Sequence, residues 1–590
     1  MLIDCPAPYV LLDDAAPGGA PARLYRAPAR IVEARSVDDV RPALAAVRAG
    51  VAQGLHAAGF LAYEAGSGIE PRLASAGAPD GPLVWFGLFE GFETIAADAV
   101  PGWLPDPAGA WAAAPEPSID RDTYDDRLAR VLELIAAGDI YQANLSFPAE
   151  VRFVGDPLAL YARLRRQAQA GYGALVDTGA QRILSFSPEL FFRLDGDRLL
   201  ARPMKGTAAR GSTADADRAA VARLSGDDKQ RAENLMIVDL LRNDLSRVAM
   251  PGSVAAPSLF RVETYPTIHQ MVSDVTATLA PGRDAVSVIE ALFPCGSITG
   301  APKIRASEVI AATERAPRGI YTGAIGRIDA QGDAIFNVAI RTLAVTGEGT
   351  ARLGLGSGIV ADSRSGEEWE ECLAKGAFVA AGQRAFDLIE TMGFDPEYGI
   401  PLLERHLARM KASALAFGYR FDRHATRNEL QAATFRLRTP KRIRLLLGPS
   451  GALAIHVSPM PAAPPEPVPV AFGPHPFAAD DVRLAHKTSD RSAYEAARRA
   501  AGTFEVALVD RDGFLAEGSF TNLFVERDGT LVTPPLSRGL LPGVLRAELI
   551  ETGRAIEGDL TPDDLAGGFF IGNALRGLIP AVAVAKAGGL

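Results

Sequence analysis

Residues 293–310, FPCGSITGAPKIRASEVI, limit what this chain can become more than any other stretch. The segment closes one periodic run, turns twice through glycine and opens a helix. Gly296 and Gly300 supply backbone freedom at the turns. Pro302 suits a first helical turn, where its missing N–H would have no partner anyway. Ser297, Thr299 and Lys303 set hydroxyls and a cation beside a helix N-terminus, whose free amides and dipole favour an anion. A structural loop with a capped helix is the plainer reading of such a turn, so the segment needs company before it means chemistry.

The chain has 590 residues, too many for one core, so at least two large domains are expected. With 48% hydrophobic and 22% charged residues it reads as an ordinary globular protein. A formal charge of −10 argues against a nucleic-acid-binding surface. Three cysteines, Cys5, Cys295 and Cys372, are too few for a disulfide framework and point to reduced thiols in a cytoplasmic protein. The N-terminal MLIDCPAPYV lacks the basic start and apolar run of a leader, and no apolar run is long enough to cross a bilayer. No nucleic-acid or membrane partner is therefore expected.

In chain order, GFLAYEAG (59–66) and PLVWFGLFE (82–90) read as buried strands, and the Pro/Ala-rich 101–118 as a linker or surface loop. A helix over 123–138 carries Leu128, Val131, Leu132 and Ile135 on one face, with Thr123 as its cap and Gly138 as its stop. ENLMIVDLLRNDLSRV (233–248) predicts a helix, FNVAIRTLAV and GLGSGIVADS predict strands, and 366–383 predicts another helix. Near Phe386 the pattern changes. A helix over about 403–417 turns Leu407, Met410, Ala414 and Phe417 inward, and 461–470 is a second proline-rich connection. Four regions follow: 1–118, an N-terminal part with linker; 119–380, a catalytic core; 381–385, a junction; and 386–590, a second domain.

As a contiguous run, 293–310 closely resembles the signature of the chorismate-utilising enzymes, which include anthranilate, aminodeoxychorismate, isochorismate and salicylate synthases. The resemblance implies an α+β fold of large antiparallel sheets flanked by helices. Glu368 and Glu371 share a helix face at a spacing of three, and Glu233 lies near the start of another helix. Exposed helix glutamates are ordinarily a solvated face, but carboxylate oxygens suit Mg²⁺ shared with an anionic substrate. The resemblance implies that Glu233, Glu368 and Glu371 hold Mg²⁺ against the ring carboxylate of chorismate, with Glu370 as the neighbouring alternative.

Arg341 matches the arginine that grips the enolpyruvyl carboxylate, a task suited to its planar fork. A cross-strand ion pair is its plainer role. Tyr321 and Gly323 match pocket positions, Gly356, Ser357 and Gly358 offer backbone amides, Thr299 belongs to the anion loop, and Lys375 sits one turn beyond Glu371. Glu189, in FSPEL, matches the general acid that protonates the departing C4 hydroxyl, which requires a raised pKa. Lys205, in RPMKGT, matches aminodeoxychorismate synthases, where the lysine attacks C2; anthranilate synthases carry a small residue there. Gln142 stands where isochorismate and salicylate synthases have a water-activating lysine. At the slot where the family often has a histidine, Gln270 is nearest, with His269 beside it. Cys295 is not on a nucleophile elbow, so ammonia is expected from a separate glutamine amidotransferase subunit or from free ammonium.

From Phe386 onward the chain resembles the class IV pyridoxal-phosphate enzymes, a two-subdomain fold. In ERHLARM, His406 and Arg409 lie three apart, and the matching arginine binds the cofactor phosphate. Lys487 matches the lysine that holds the cofactor as an imine, and Glu517 the carboxylate that faces the pyridine nitrogen. Gly543, Val544 and Leu545 match the phosphate-cradling turn before a helix. Together the two resemblances imply a fusion that makes 4-aminobenzoate for folate: amination of chorismate, then loss of pyruvate. Stand-alone class IV members begin with strands before the FDLIET-like segment, whereas here the first domain runs almost straight into it, which leaves a homodimer through this half open. Two other readings stay in view: an anthranilate-synthase-like half joined to an aminotransferase, and a non-catalytic C-terminal dimerisation module.

Overall fold

The computed structural model describes residues 2, 5–211, 213–264, 268–383, 385–479 and 481–584. Position 384 of the expected junction, 265–267 before Gln270, and 585–590 lie outside the described residues. The chain divides into two units. The first comprises residues 1–107, 114–151 and 157–381, the second 108–113, 152–156 and 382–590.

Two large sheets form the first unit. One runs in the order Gly300–Ala301, Gln142–Gly155, Thr350–Ile359, Thr342–Gly347, Arg182–Ser187, Tyr172–Asp177, Tyr9–Asp13, Ala22–Arg26 and Glu93–Ile95. The other runs Met204–Ala209, Ile268–Thr278, Arg198–Arg202, Leu190–Asp195, Ala334–Val338, Ala324–Ile328, His56–Leu61, Val84–Phe89 and Arg30–Ala34. Antiparallel pairing recurs in both. The apolar runs of the second sheet follow from burial on two faces. Ala57, Leu61, Val84, Phe86 and Leu88 join the core beneath the helices, while the intervening Ala58, Phe60 and Trp85 join a core with Val10, Ala174 and Ile183 of the first sheet. Period-two alternation thus feeds two cores at once.

Several sequence expectations shift. The helix near 123 spans Arg121–Ala136, and its cap is Asp120, whose carboxylate accepts from the Thr123 amide; Thr123 is inside the first turn. FNVAIRTLAV is two strands in different sheets, Ala334–Val338 and Thr342–Gly347, because the chain crosses over at 339–341. YEAG leaves the strand and enters a short helix, Ala65–Ile69. The expected helix over 366–383 is Ser365–Gly376 followed by a short 3-10 turn. The segment 101–118 is more than a linker: Ala110–Ala112 pairs with the end of Gln142–Gly155.

In the second unit a three-stranded antiparallel sheet, Leu388–Phe394, Lys441–Leu447 and Leu453–Pro459, packs beneath the helices Leu403–Phe417 and Arg423–Thr434. Leu407, Met410, Ala414 and Phe417 are all buried there, and Trp111 and Val154 pack against the same core. An eight-stranded mixed sheet carries parallel pairings of Val468–Pro474 with Glu505–Val509 and with Gly577–Ala583. Among the described residues no helix is long and apolar enough to cross a membrane.

Candidate active sites

In the first unit a cavity of about 480 Å³ opens between the two sheets' edges and two helices. Its floor is glycine. In Thr350–Ile359, Gly354, Gly356 and Gly358 alternate onto one strand face. A Cβ at Gly354 would stand 2.0 Å from the Tyr321 ring, one at Gly356 2.9 Å from the Tyr321 hydroxyl, and one at Gly358 2.5 Å from Lys205 Nζ. The missing side chains make room for those two groups. Ser357 faces the other way, fully buried against the Tyr124 hydroxyl, so only its backbone remains for the role expected of it.

Lys205, on Met204–Ala209, and Glu189, at the turn after Arg182–Ser187, both line this cavity. Burial pushes the Glu189 carboxyl up to about 7, against the opposing pull of the Ser297 hydroxyl, which donates to it at 2.8 Å, and of Lys205 and Lys375. Burial lowers the Lys205 ammonium, and Lys375 adds to this, while Glu233, Glu371 and Glu189 oppose it. Gln142 is fully buried beside Lys205, and neither amide atom has a hydrogen-bond partner among the described residues.

Glu233, from the helix Asp228–Ser246, and Glu368 and Glu371, from Ser365–Gly376, line the opposite wall. Burial raises Glu233, with Glu368 and Asp362 adding to the shift and Lys205 and Lys229 opposing it. Glu371 is held low: burial opposes, but Lys375 pairs with it at 2.7 Å and wins. Lys375 also donates to the Gly356 carbonyl. Glu368 accepts from Ser363 at 2.6 Å. Among the described residues no three His, Cys, Asp or Glu side chains already stand as a ready-made metal cluster.

Arg341 lines the cavity from the crossover, with φ at 49°. A left-handed arginine costs of order 1 kcal/mol, which marks the position as one where geometry outranks local preference. The expected anion loop is wired inward. Thr299 donates to the Cys295 carbonyl and is fully buried, and Lys303 pairs with Asp244 at 2.6 Å and caps the Leu292 carbonyl. Gly323 permits a close backbone approach instead, since a Cβ there would meet the Leu61 carbonyl at 2.1 Å. Gln270 faces the cavity and donates to the Gly206 carbonyl, whereas His269 turns away to Asp217. Cys295 is buried, and all three cysteines are free.

The second unit has its own cavity of about 260 Å³, lined by Arg409, Lys487, Glu517, Gly543 and Val544. Burial brings Lys487 down to about 7, helped by the charges of Arg409 and Arg491. Burial pushes Glu517 up to about 7, although the Tyr494 hydroxyl donates to it at 2.7 Å and the Leu541 amide at 3.1 Å. Gly543 caps the helix Val544–Glu551, and a Cβ there would collide with Asn522. The Leu545 side chain packs into the core beside Phe524 and Leu549.

One residue escaped the sequence reading. Glu390, 1% exposed, binds Arg409 through two hydrogen bonds of 2.8 and 2.6 Å and His406 Nδ1 at 2.7 Å. Burial would raise its pKa, but Arg409 and His406 bring it down to about 2. The only sequence signal was a carboxylate inside an apolar strand, LIETMGF.

Solved structures place the first unit among the folds of chorismate-utilising enzymes. Anthranilate synthase component I from Streptococcus pneumoniae superposes with a TM-score of 0.53 at 24% identity, over 64% of this chain and 93% of that one. A putative isochorismate synthase from Bacillus anthracis gives 0.52 at 21%, over 64% and 97%. The chain belongs to the chorismate binding enzyme family, whose model matches residues 18–381. A second model, amino-transferase class IV, matches residues 387–584. The aminodeoxychorismate synthase of Streptomyces griseus is 44% identical over 48% of this chain and 39% of its own length. Aminodeoxychorismate synthase component 1 of Bacillus subtilis is 40% identical over 48% and 59%, and anthranilate synthase component 1 of Aquifex aeolicus 40% over 44% and 52%. The chain therefore spans about 40 to 60% of the length of these relatives.

Proposed function

We propose that the chain performs two consecutive steps: amination of chorismate to 4-amino-4-deoxychorismate, then release of pyruvate to leave 4-aminobenzoate. The observation that carries the reading is the pairing, on one cavity, of a lysine whose ammonium is destabilised by burial with a carboxyl that holds its proton near neutrality. Neutral Lys205 Nζ adds at C2 while Glu189 gives its proton to the C4 hydroxyl, which leaves as water. Ammonia then adds at C4, Lys205 departs from C2 with its electron pair, and a proton shed by the incoming ammonia restores Glu189. Arg341 and the cavity-facing glycines orient the two carboxylates. Gln142 has no basic nitrogen to activate water, which disfavours a hydroxylated product.

Three carboxylates on one wall suit Mg²⁺, which commonly takes one or two carboxylates and completes its shell with waters and an anionic ligand. Glu233, Glu368 and Glu371 would hold it, and bound there it supplies positive charge for the ring carboxylate.

The second cavity fits pyridoxal 5'-phosphate. Arg409 and the amides at Gly543, Val544 and Leu545 would hold the phosphate, Glu517 the ring nitrogen, and Lys487 the reactive carbon. The cofactor supplies an electron sink. Lys487, whose amine titrates at about 7 when it is not joined to the cofactor, would take the C4 proton as the C3–O bond breaks and the ring aromatises, and the departing enolpyruvate would take up a proton to become pyruvate. Ammonia comes from a separate glutaminase subunit or from free ammonium, and the setting is cytoplasmic.

Purified protein given chorismate, Mg²⁺, ammonium and pyridoxal phosphate tests this by chromatography with mass detection. The expected products are 4-aminobenzoate and pyruvate. Anthranilate would overturn the reading of Lys205, and accumulated aminodeoxychorismate would overturn that of the second unit.

A further inference from the structure

The second unit is not built from its own end of the chain alone. It takes in residues 108–113 and 152–156, two pieces from much earlier in the sequence. The pieces pair with each other, with Ala110, Trp111 and Ala112 opposite Gly155, Val154 and Phe153. Gln383 fastens them to the start of the unit's main segment. Its side-chain amide donates to the Ala112 carbonyl at 2.7 Å and accepts from the Ala112 amide at 3.0 Å. Gly155, with φ at 99°, allows a close approach on the other side. A Cβ there would stand 2.0 Å from the Gly109 carbonyl and 2.7 Å from Val482.

These pieces back the segment that carries Lys487. Trp111 lies edge-on to Phe417, with ring centroids 5.0 Å apart and planes at 86°. It also meets Phe386 at 6.2 Å and Tyr419 at 6.3 Å. Each of those rings holds the chain beside the lysine. Phe417 packs on the His486 ring at 4.6 Å, and the Ser413 hydroxyl bonds His486 Nδ1 at 2.9 Å. Burial brings His486 down to about 4, so at neutral pH the ring packs there uncharged. On the other flank, the Tyr419 hydroxyl donates to the Phe386 carbonyl at 2.8 Å. The residues that follow Phe386 bond the lysine segment directly: the Ile389 amide donates to the Lys487 carbonyl at 2.9 Å, and the Ser489 amide to the Asp387 carbonyl at 2.8 Å. Val482, against Gly155, opens the short helix Val482–Ala485 that leads into this segment. A close-packed interior transmits such contacts, because a displaced ring leaves its neighbours unsupported.

We propose that Trp111 is a positioning residue for the second site: through Phe417 and Phe386 it fixes the backbone on both sides of Lys487 and so sets where the amine stands. The proposal rests on the reading of Lys487 as the lysine that takes the cofactor. Trp111 does not line the cavity, and it lies outside the residues that match the class IV family, 387–584. The second site therefore depends on a residue from the earlier half of the chain.

The test compares two probes on the full chain. Pyridoxal phosphate, followed by visible absorbance, needs the lysine in place. 4-Deoxypyridoxine 5'-phosphate, followed by calorimetry, lacks the aldehyde and cannot join to it. Trp111→Ala should weaken pyridoxal phosphate uptake about 10-fold, the worth of one aromatic contact, and leave the second probe within about twofold. Trp111→Phe should keep most of the affinity. Trp111→Leu, which keeps apolar volume without the ring system, carries the same comparison if Trp111→Ala does not fold. Leu430 is buried in the same core on the helix Arg423–Thr434, so Leu430→Ala should lower the unfolding temperature while sparing both probes. Equal losses of both probes in the Trp111 variants, no loss of either, or an equal loss of pyridoxal phosphate in Leu430→Ala would each overturn the proposal. If the unaltered chain takes up no pyridoxal phosphate, the reading of the site falls separately. Acylation of Lys487 by acetic anhydride in the cofactor-free chain then decides the positioning: a midpoint raised from about 7 in Trp111→Ala supports it, and an unmoved midpoint overturns it.

Discussion

Each unit sets a lysine against a carboxyl that burial raises to about 7, but the charges around the two pairs differ. Lys205 lies among mixed signs: Lys375 repels its proton while Glu233, Glu371 and Glu189 attract it. Lys487 has two arginines, Arg409 and Arg491, driving its pKa down against two carboxylates, Glu390 and Glu517, where Lys205 has one lysine against three carboxylates. Burial is the largest cause in both, so in each the fold favours the unprotonated amine. The neighbours decide what else can bind. A carboxylate-rich wall can share a dication with an anion, whereas an arginine-lined one favours an anion.

The largest effects should come from the lysines. Lys487→Ala should stop 4-aminobenzoate by about 1,000-fold or more and let aminodeoxychorismate accumulate. Lys205→Ala should cost the amination step a similar factor while the visible absorbance of bound cofactor persists. Product mass spectra and absorbance read both. Continued 4-aminobenzoate from the first variant, or continued aminodeoxychorismate from the second, would break the parallel between the sites.

Next comes Glu390. Glu390→Gln leaves Arg409 buried without its counter-charge and should destabilise the second unit by about 3–5 kcal/mol. The pKa of Glu390 is depressed from 4.5 to about 2. Its contribution is therefore present above about pH 4.5 and lost as pH falls toward 2. Thermal unfolding across that window should be steeper in pH for the unaltered chain than for the variant. Identical slopes would mean that the carboxylate is not what holds Arg409.

Glu390 also shows where sequence reading ran out. Lys205, Glu189, Lys487 and Glu517 were found through short strings around them, and each faces a cavity. The helix Leu403–Phe417 and its four inward residues were legible because the period is local. Glu390 was not, since its partners lie 16 and 19 residues away on a helix. The crossover at Arg341 and the pairing of Ala110–Ala112 were hidden for the same reason: both depend on strands distant in sequence. Thr299 was assigned to substrate from its string, yet its hydroxyl is used by a carbonyl four residues back.

A subtler substitution probes the glycine floor. Gly358→Ala places a methyl carbon 2.5 Å from Lys205 Nζ and 3.1 Å from Gln142 Nε2. The clashing atom is the end of a flexible chain, so the fold should survive while the amine shifts. A displacement near 1 Å typically costs about 100-fold in rate. Amination should fall by that order with cofactor binding unchanged, and a variant that aminates normally would mean that the position of Lys205 Nζ has latitude.

The smallest effect is a shift in titration midpoint. Acetic anhydride acylates only neutral amines, so peptide mass spectrometry of briefly treated protein reports each lysine's protonation against pH. In the cofactor-free chain Lys487 should reach half its limiting rate at about pH 7, well below an ordinary lysine near 10.4. Arg491→Gln removes a repelling charge and should move that midpoint up. In the first unit the signs divide: Lys375→Gln should raise the Lys205 midpoint, and Glu233→Gln should lower it. If both first-unit variants moved Lys205 the same way, its neighbours would be acting through altered burial, and the contrast between a carboxylate-rich and an arginine-rich setting would fail.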